Sequence, residues 1–236
     1  MRYKGFYFII ILAVIFIIFI LFPNLSLYRN HINYKQFNIY CDTKIDDNIY
    51  KVLDEVEEKL LTSEIYDNSL NFKIFISSNF NPYSIFCPSL KDAFAATYPI
   101  INNIFISKTD IVNNLVYRNA TEDNERSLSS VIVHEATHKL IENEIGVKVN
   151  KNLQTWKKEG YCEYVSGENS LNLSAGINEV YTGSNSFSSA FSYLKYRILV
   201  TYLLDVKGHT FKSLIETEFN IHNLENEFMA YRNNFF

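Results

Sequence analysis

His134-Glu135-Ala136-Thr137-His138 is the stretch on which the reading of this 236-residue chain turns. It is preceded by the largely apolar run Ser127-Leu-Ser-Ser-Val-Ile-Val133 and followed by Leu140-Ile141, the pattern of a helix buried on one side. On an α-helix, positions i and i+4 lie one turn apart on the same face, so both imidazoles can reach a single metal ion. Glu135 projects beside them, placed to take a proton from a metal-bound water. The plain alternative is a coincidental His-Glu-x-x-His on an ordinary helix. With only five histidines in the chain and an apolar helical context, the zinc reading is preferred.

A catalytic zinc takes three protein ligands and keeps one position open, so a third ligand must lie downstream. A metzincin places Gly and His three and six residues after the second histidine. Here those positions hold Ile141 and Glu144, which excludes that class. An intramembrane site is excluded as well, because the motif lies in a charged segment far from the only long apolar run. Glu159, within Trp156-Lys-Lys-Glu-Gly-Tyr-Cys-Glu-Tyr164, is the candidate. Taken alone, Glu159 and Glu163 would be a solvated acidic pair one turn apart.

With the upstream motif, this segment resembles the gluzincin metallopeptidases: the thermolysin-like and aminopeptidase-like families and bacterial peptidase MA-like domains. The resemblance covers about residues 127–165, extends loosely over 193–204 and does not reach the N-terminal third. It implies that His134, His138 and Glu159 bind Zn2+, that Glu135 is the general base in peptide-bond hydrolysis, and that Glu163 accepts a hydrogen bond from the far nitrogen of a ligand histidine. It also implies an oxyanion donor from the following subdomain, with Tyr181, Tyr193, Tyr196, Tyr202, His209 and His222 as candidates. Tyr193 and Tyr196 rank first, because they begin a helix that packs against the site in related domains. Cys162 stands where those families carry a small residue and is expected to pack as a small hydrophobe, while Trp156 and Tyr161 read as core aromatics. An extended substrate would pair with the strand before the motif helix, here 100–107, bringing Asn102 and Asn103 near the cleft. The Gly-x-Met-Glu-Asn segment of the aminopeptidase-like families is absent, favouring an endopeptidase or a substrate other than free N-termini. Two other readings stay open: a membrane-tethered binding or sensory module without turnover, and a zinc hydrolase of a non-peptide amide.

The first thirty or so residues read separately. Arg2 and Lys4 precede an uncharged apolar run, residues 6–22, at the short end of the roughly 17–25 residues that span a bilayer. No small-x-small cleavage site follows, so the run reads as an uncleaved transmembrane signal anchor; a cleaved signal peptide and a buried core helix are the competing readings. Arg29 and Lys35 follow closely, so the positive-inside rule votes only weakly for a cytoplasmic N-terminus with the catalytic domain extracytoplasmic. The expected organisation is a short tail (1–5), the anchor (6–22), a juxtamembrane linker (23–35) and one metallopeptidase-like domain (36–236). The net charge of −4 gives no argument for nucleic-acid binding; the partners expected are a peptide or protein substrate and the membrane. Of three cysteines, Cys41 and Cys87 either pair or remain buried thiols.

Alternation and β-propensity predict strands at 36–41, 71–77 and 100–107, and helical spacing predicts a helix over 46–61. Residues 78–89 read as a loop. The motif helix is expected from 127 to a stop at Gly146, with a turn over 147–152 and a second helix from about 153. Further helices are expected at about 188–206, 211–216 and 223–232. Strands first and helices later indicate an α+β protein of zincin-like fold, a small mixed sheet followed by a helical lobe.

Overall fold

The computed structural model describes residues 7, 18–98, 103–121, 124–168 and 189–235. Its fold is α+β: a mixed seven-stranded sheet followed by a helical lobe. The strands are β1 (Asn30–Tyr34), β2 (Phe37–Cys41), β3 (Phe72–Ser77), β4 (Ala95–Tyr98), β5 (Asn103–Asp110), β6 (Leu115–Tyr117) and β7 (Glu125–Ser127). They run in the order β1-β2-β3-β5-β6-β7, with β4 also paired to β5. β2, β3 and β5 are parallel to one another, and the remaining pairings are antiparallel. Helix α1 (Ile49–Leu60) makes the crossover from β2 to β3 and buries Ile49, Val52, Leu53, Val56 and Leu60 at helical spacing.

Both faces of the central strands are covered, and the side-chain alternation of each strand divides them. Ile39, Ile74 and Ile104 face the main core beneath the helices. The opposite face carries an aromatic stack. Tyr40, Phe75 and Phe105 are register partners on β2, β3 and β5, with ring centroids 5.2 and 4.9 Å apart. The stack continues to Phe86, 5.4 Å from Phe105, and then to Phe19, 5.1 Å further on. Phe19, at the C-terminal end of the apolar run, is thus packed into the fold. No helix among the described residues is long and apolar enough to cross a membrane; most of the run 6–22 lies outside them.

The sheet is larger than the sequence suggested. β1 falls in the expected linker (23–35), and Tyr28 there is wholly buried. The expected loop 78–89 contains helix α2 (Phe80–Phe86); Asn79 caps it by accepting from Asn81 N–H, and Pro82 sits in the first turn, where proline is tolerated. Cys41 and Cys87 are free buried thiols on opposite faces of the sheet.

The motif helix α3 (Leu128–Asn152) follows β7 without a loop, and Ser127 Oγ accepts from Ser130 N–H as its N-cap. Every residue from Leu128 to Thr137 is buried, because α3 runs between the sheet and α1 on one side and α4 (Thr155–Ser166) on the other. Gly146 interrupts it at φ 76°, so the expected stop is a kink, and the expected turn 147–152 is instead helical. Helix α5 (Ser189–Thr201) lies against α4, and α6 (Phe211–Glu216) and α7 (Ile221–Phe235) complete the lobe.

The α4–α5 approach depends on Gly160. A Cβ there would stand 2.6 Å from both the Tyr196 carbonyl oxygen and Val200 Cγ2. Gly160→Ala is therefore expected to lower stability by about 1–3 kcal/mol through overpacking, read as a lower denaturant midpoint; unchanged stability would show that the two helices separate freely.

Candidate active site

Helices α3 and α4 bring the predicted ligands together. Glu159 Oε2 lies 3.3 Å from His134 Nε2 and 3.5 Å from His138 Nε2. Zinc bonds of about 2.0–2.2 Å set tetrahedral ligand atoms about 3.3–3.6 Å apart, and Glu159 Oε2 stands at that separation from each of the two imidazole nitrogens. The two imidazoles cross nearly edge to face, centroids 4.9 Å apart. The site is the floor of a cleft of about 580 Å³, where His134 is 7% and Glu135 8% exposed. One wall is the segment from Ser89 through β4; the other is formed by Glu159 and the start of α5.

Glu163 is completely buried and stands behind His134, its Oε1 3.0 Å from Nδ1. That is hydrogen-bonding distance, but the ring N–H is angled off the oxygen, so the contact here is chiefly electrostatic. Arg126 on β7 clamps the same carboxylate with two donors, Nη1 to Oε1 at 3.0 Å and Nη2 to Oε2 at 3.2 Å. Burial works against the charge on Glu163, and Arg126 and His134 outweigh it, holding the carboxyl below its ordinary range. Arg126 escaped the sequence reading because it ends a polar stretch with no pattern of its own; the one available signal is its place beside the N-cap of the motif helix.

Thr97 is a second residue the sequence did not single out. From β4, its Oγ1 donates a short hydrogen bond to Glu135 Oε2. The expected substrate strand also moves: β5 is interior, paired with β3 on one side and with β4 and β6 on the other. Among the described residues β4 pairs only with β5 and borders the cleft, so it is the available edge. Asn103 is buried within the sheet, away from the cleft lining, and Asn102 lies outside the described residues.

The tyrosine candidates separate. Tyr193 lines the cleft, its ring stacked 6.2 Å from that of His134. Burial raises its phenol well above the ordinary value, reinforced by the charges of Glu159, Glu135 and Glu163, so it remains a proton donor. Tyr196, three residues on, packs against the main core away from the cleft lining. Tyr202 is buried in the helical lobe, His209 pairs with Ser213 Oγ, and His222 is exposed beside Glu225. Tyr181 lies outside the described residues. Trp156 and Tyr161 are core aromatics as expected. Cys162 is buried too, but its Sγ also lies 3.4 Å from His138 Nδ1.

No family model matches this chain, and no curated protein matches it.

Without a metal, burial would keep His134 neutral, but Glu159 and Glu163, with Glu135, outweigh it and raise the imidazole to about 10. Burial likewise opposes the charge of Glu159, and His138 and His134 pull it well below the ordinary carboxylate value. Because His134 is raised on folding, its charged form stabilises the metal-free protein fully below about pH 6.5, and that contribution fades as pH climbs through about 10. A metal ion needs the bare nitrogen, so its binding must expel this proton. Zinc affinity is therefore expected to rise up to about tenfold per pH unit across this window, with one proton released, as measured by calorimetry in buffers of different ionisation enthalpy. Binding without proton release would contradict the His134 assignment.

Proposed function

We propose that this chain is a membrane-anchored zinc metallopeptidase of the gluzincin type, acting on peptide bonds of a polypeptide substrate. The observation that carries the reading is the approach of one Glu159 oxygen to the Nε2 atoms of both His134 and His138, at 3.3 and 3.5 Å. Those three residues would hold the ion, with Glu135 beside them in the cleft. The ion, when bound, supplies a Lewis acid that acidifies water and polarises the scissile carbonyl.

The chain's own residues divide the remaining work. Glu135 takes a proton from the attacking water and returns it to the leaving amine. Thr97 holds Oε2 of that carboxylate, leaving Oε1 for the proton. The Tyr193 hydroxyl is the donor for the developing oxyanion. An extended peptide lies along the free edge of β4, with its backbone fixed by strand addition. In this reading residues 6–22 are the anchor, residues 1–5 a cytoplasmic tail and the cleft lies outside, while Phe19 at the end of the run packs on Phe86 of the domain.

Metal analysis of the full chain in detergent is expected to give near-stoichiometric zinc, lost in Glu159→Ala. Against a quenched-fluorescence peptide library, Glu135→Gln should keep zinc and lose cleavage by about 10²–10⁴-fold. A metal-free wild type would sink the reading, and a zinc-loaded wild type that cleaves nothing would favour a binding module without turnover. Thr97→Val should keep zinc and lower kcat by roughly tenfold, the loss of one hydrogen bond to a charged group of about 1.5 kcal/mol. Unchanged kcat would remove Thr97 from the account.

A further inference from the structure

The two histidines are alike at the front and different behind. Both Nε2 atoms converge on Glu159 Oε2. Behind His134, Nδ1 faces the clamped carboxylate of Glu163. Behind His138, the atom at 3.4 Å from Nδ1 is the sulfur of Cys162, a side chain with no exposed surface. Cys162 follows Glu159 by three residues and precedes Glu163 by one, so α4 presents all three toward the two imidazoles.

We propose that Cys162 is the positioning residue of His138: its sulfur accepts the Nδ1–H and fixes the tautomer that leaves Nε2 bare for a metal ion. The proposal rests on the metal-centre reading given above. An imidazole that ligates through Nε2 carries its remaining proton on Nδ1, and a buried N–H needs an acceptor. A carboxylate is the common acceptor, but this floor already holds Glu135, Glu159 and Glu163, and a fourth negative charge would be opposed by all three. A neutral thiol is a weak acceptor that adds no charge. The nitrogen, sulfur and oxygen donors also leave a choice to test. His134, His138 and Cys162 carry potential ligand atoms within 4.8 Å of one another, so the sulfur is close enough for direct ligation to be the rival arrangement. The geometry favours support over ligation, since Glu159 faces Nε2 while the sulfur meets the ring at its other nitrogen.

Zinc affinity of the full chain, measured by competition with a chromophoric chelator, separates these roles in wild type, Cys162→Ala and Cys162→Ser. Loss of the acceptor is expected to weaken zinc binding about 10–100-fold in Cys162→Ala, and Cys162→Ser should recover most of it, because the hydroxyl can accept the same N–H. Simple packing predicts the reverse order, since a buried hydroxyl without a partner is worse than a methyl group. Cobalt-loaded wild type, which needs no substitution, should lack a thiolate-to-cobalt charge-transfer band. The proposal is overturned if Cys162→Ala binds zinc as tightly as wild type, if serine does no better than alanine, or if the charge-transfer band is present. A wild type that takes up neither ion fails the metal-centre reading and this assignment with it. A wild type that holds zinc no better than Cys162→Ala fails the assignment alone.

Discussion

Three carboxylates, Glu135, Glu159 and Glu163, are gathered around two imidazoles on a cleft floor, where Glu163 has no exposed surface and Glu135 very little. Buried charges of one sign are costly unless they are answered by others. Arg126 answers one through its two-pronged contact with Glu163. Glu159 is answered in part by the two imidazoles beside it. Without an ion, a proton on His134 meets part of the demand, which is why that imidazole holds its proton to about pH 10. On the proposed reading, a bound divalent cation would replace that proton and meet Glu159 at the same time.

The fold supplies what this arrangement needs. An enclosed α3 keeps His134 and Glu135 out of bulk water, and Ser127 fixes where that helix starts. Arg126 precedes the cap by one residue, so the clamp on Glu163 and the start of the helix are set together. Gly160 lets α5 come close enough to α4 to bring Tyr193 over His134. On the far side of the sheet, the aromatic stack from Tyr40 to Phe19 joins the end of the apolar run to the same strands whose inner faces support the helices.

Much of this was legible in the sequence because it is local or periodic. The i, i+4 spacing of His134 and His138 and the i, i+4 spacing of Glu159 and Glu163 are properties of single helices, as is the apolar stripe of α1. The α+β class followed from strands preceding helices. What escaped was non-local or weakly patterned. β1 is half polar, β4, β6 and β7 are three or four residues long, and α2 carries in its first turn an Asn-Pro pair that reads equally well as a loop. Thr97 and Arg126 acquire their roles only when the sheet carries them to α3 and α4, 38 and 37 residues away along the chain. Tyr193 and Tyr196 could not be told apart until helix α5 was turned against α4.

X-ray absorption spectroscopy at the zinc edge reads the ligand set of the proposed centre atom by atom. The expected shell holds light atoms only, two imidazole nitrogens with carboxylate and water oxygen at about 2.0–2.2 Å. A sulfur at about 2.3 Å, or imidazole scattering that persists unchanged in His134→Ala, would contradict it.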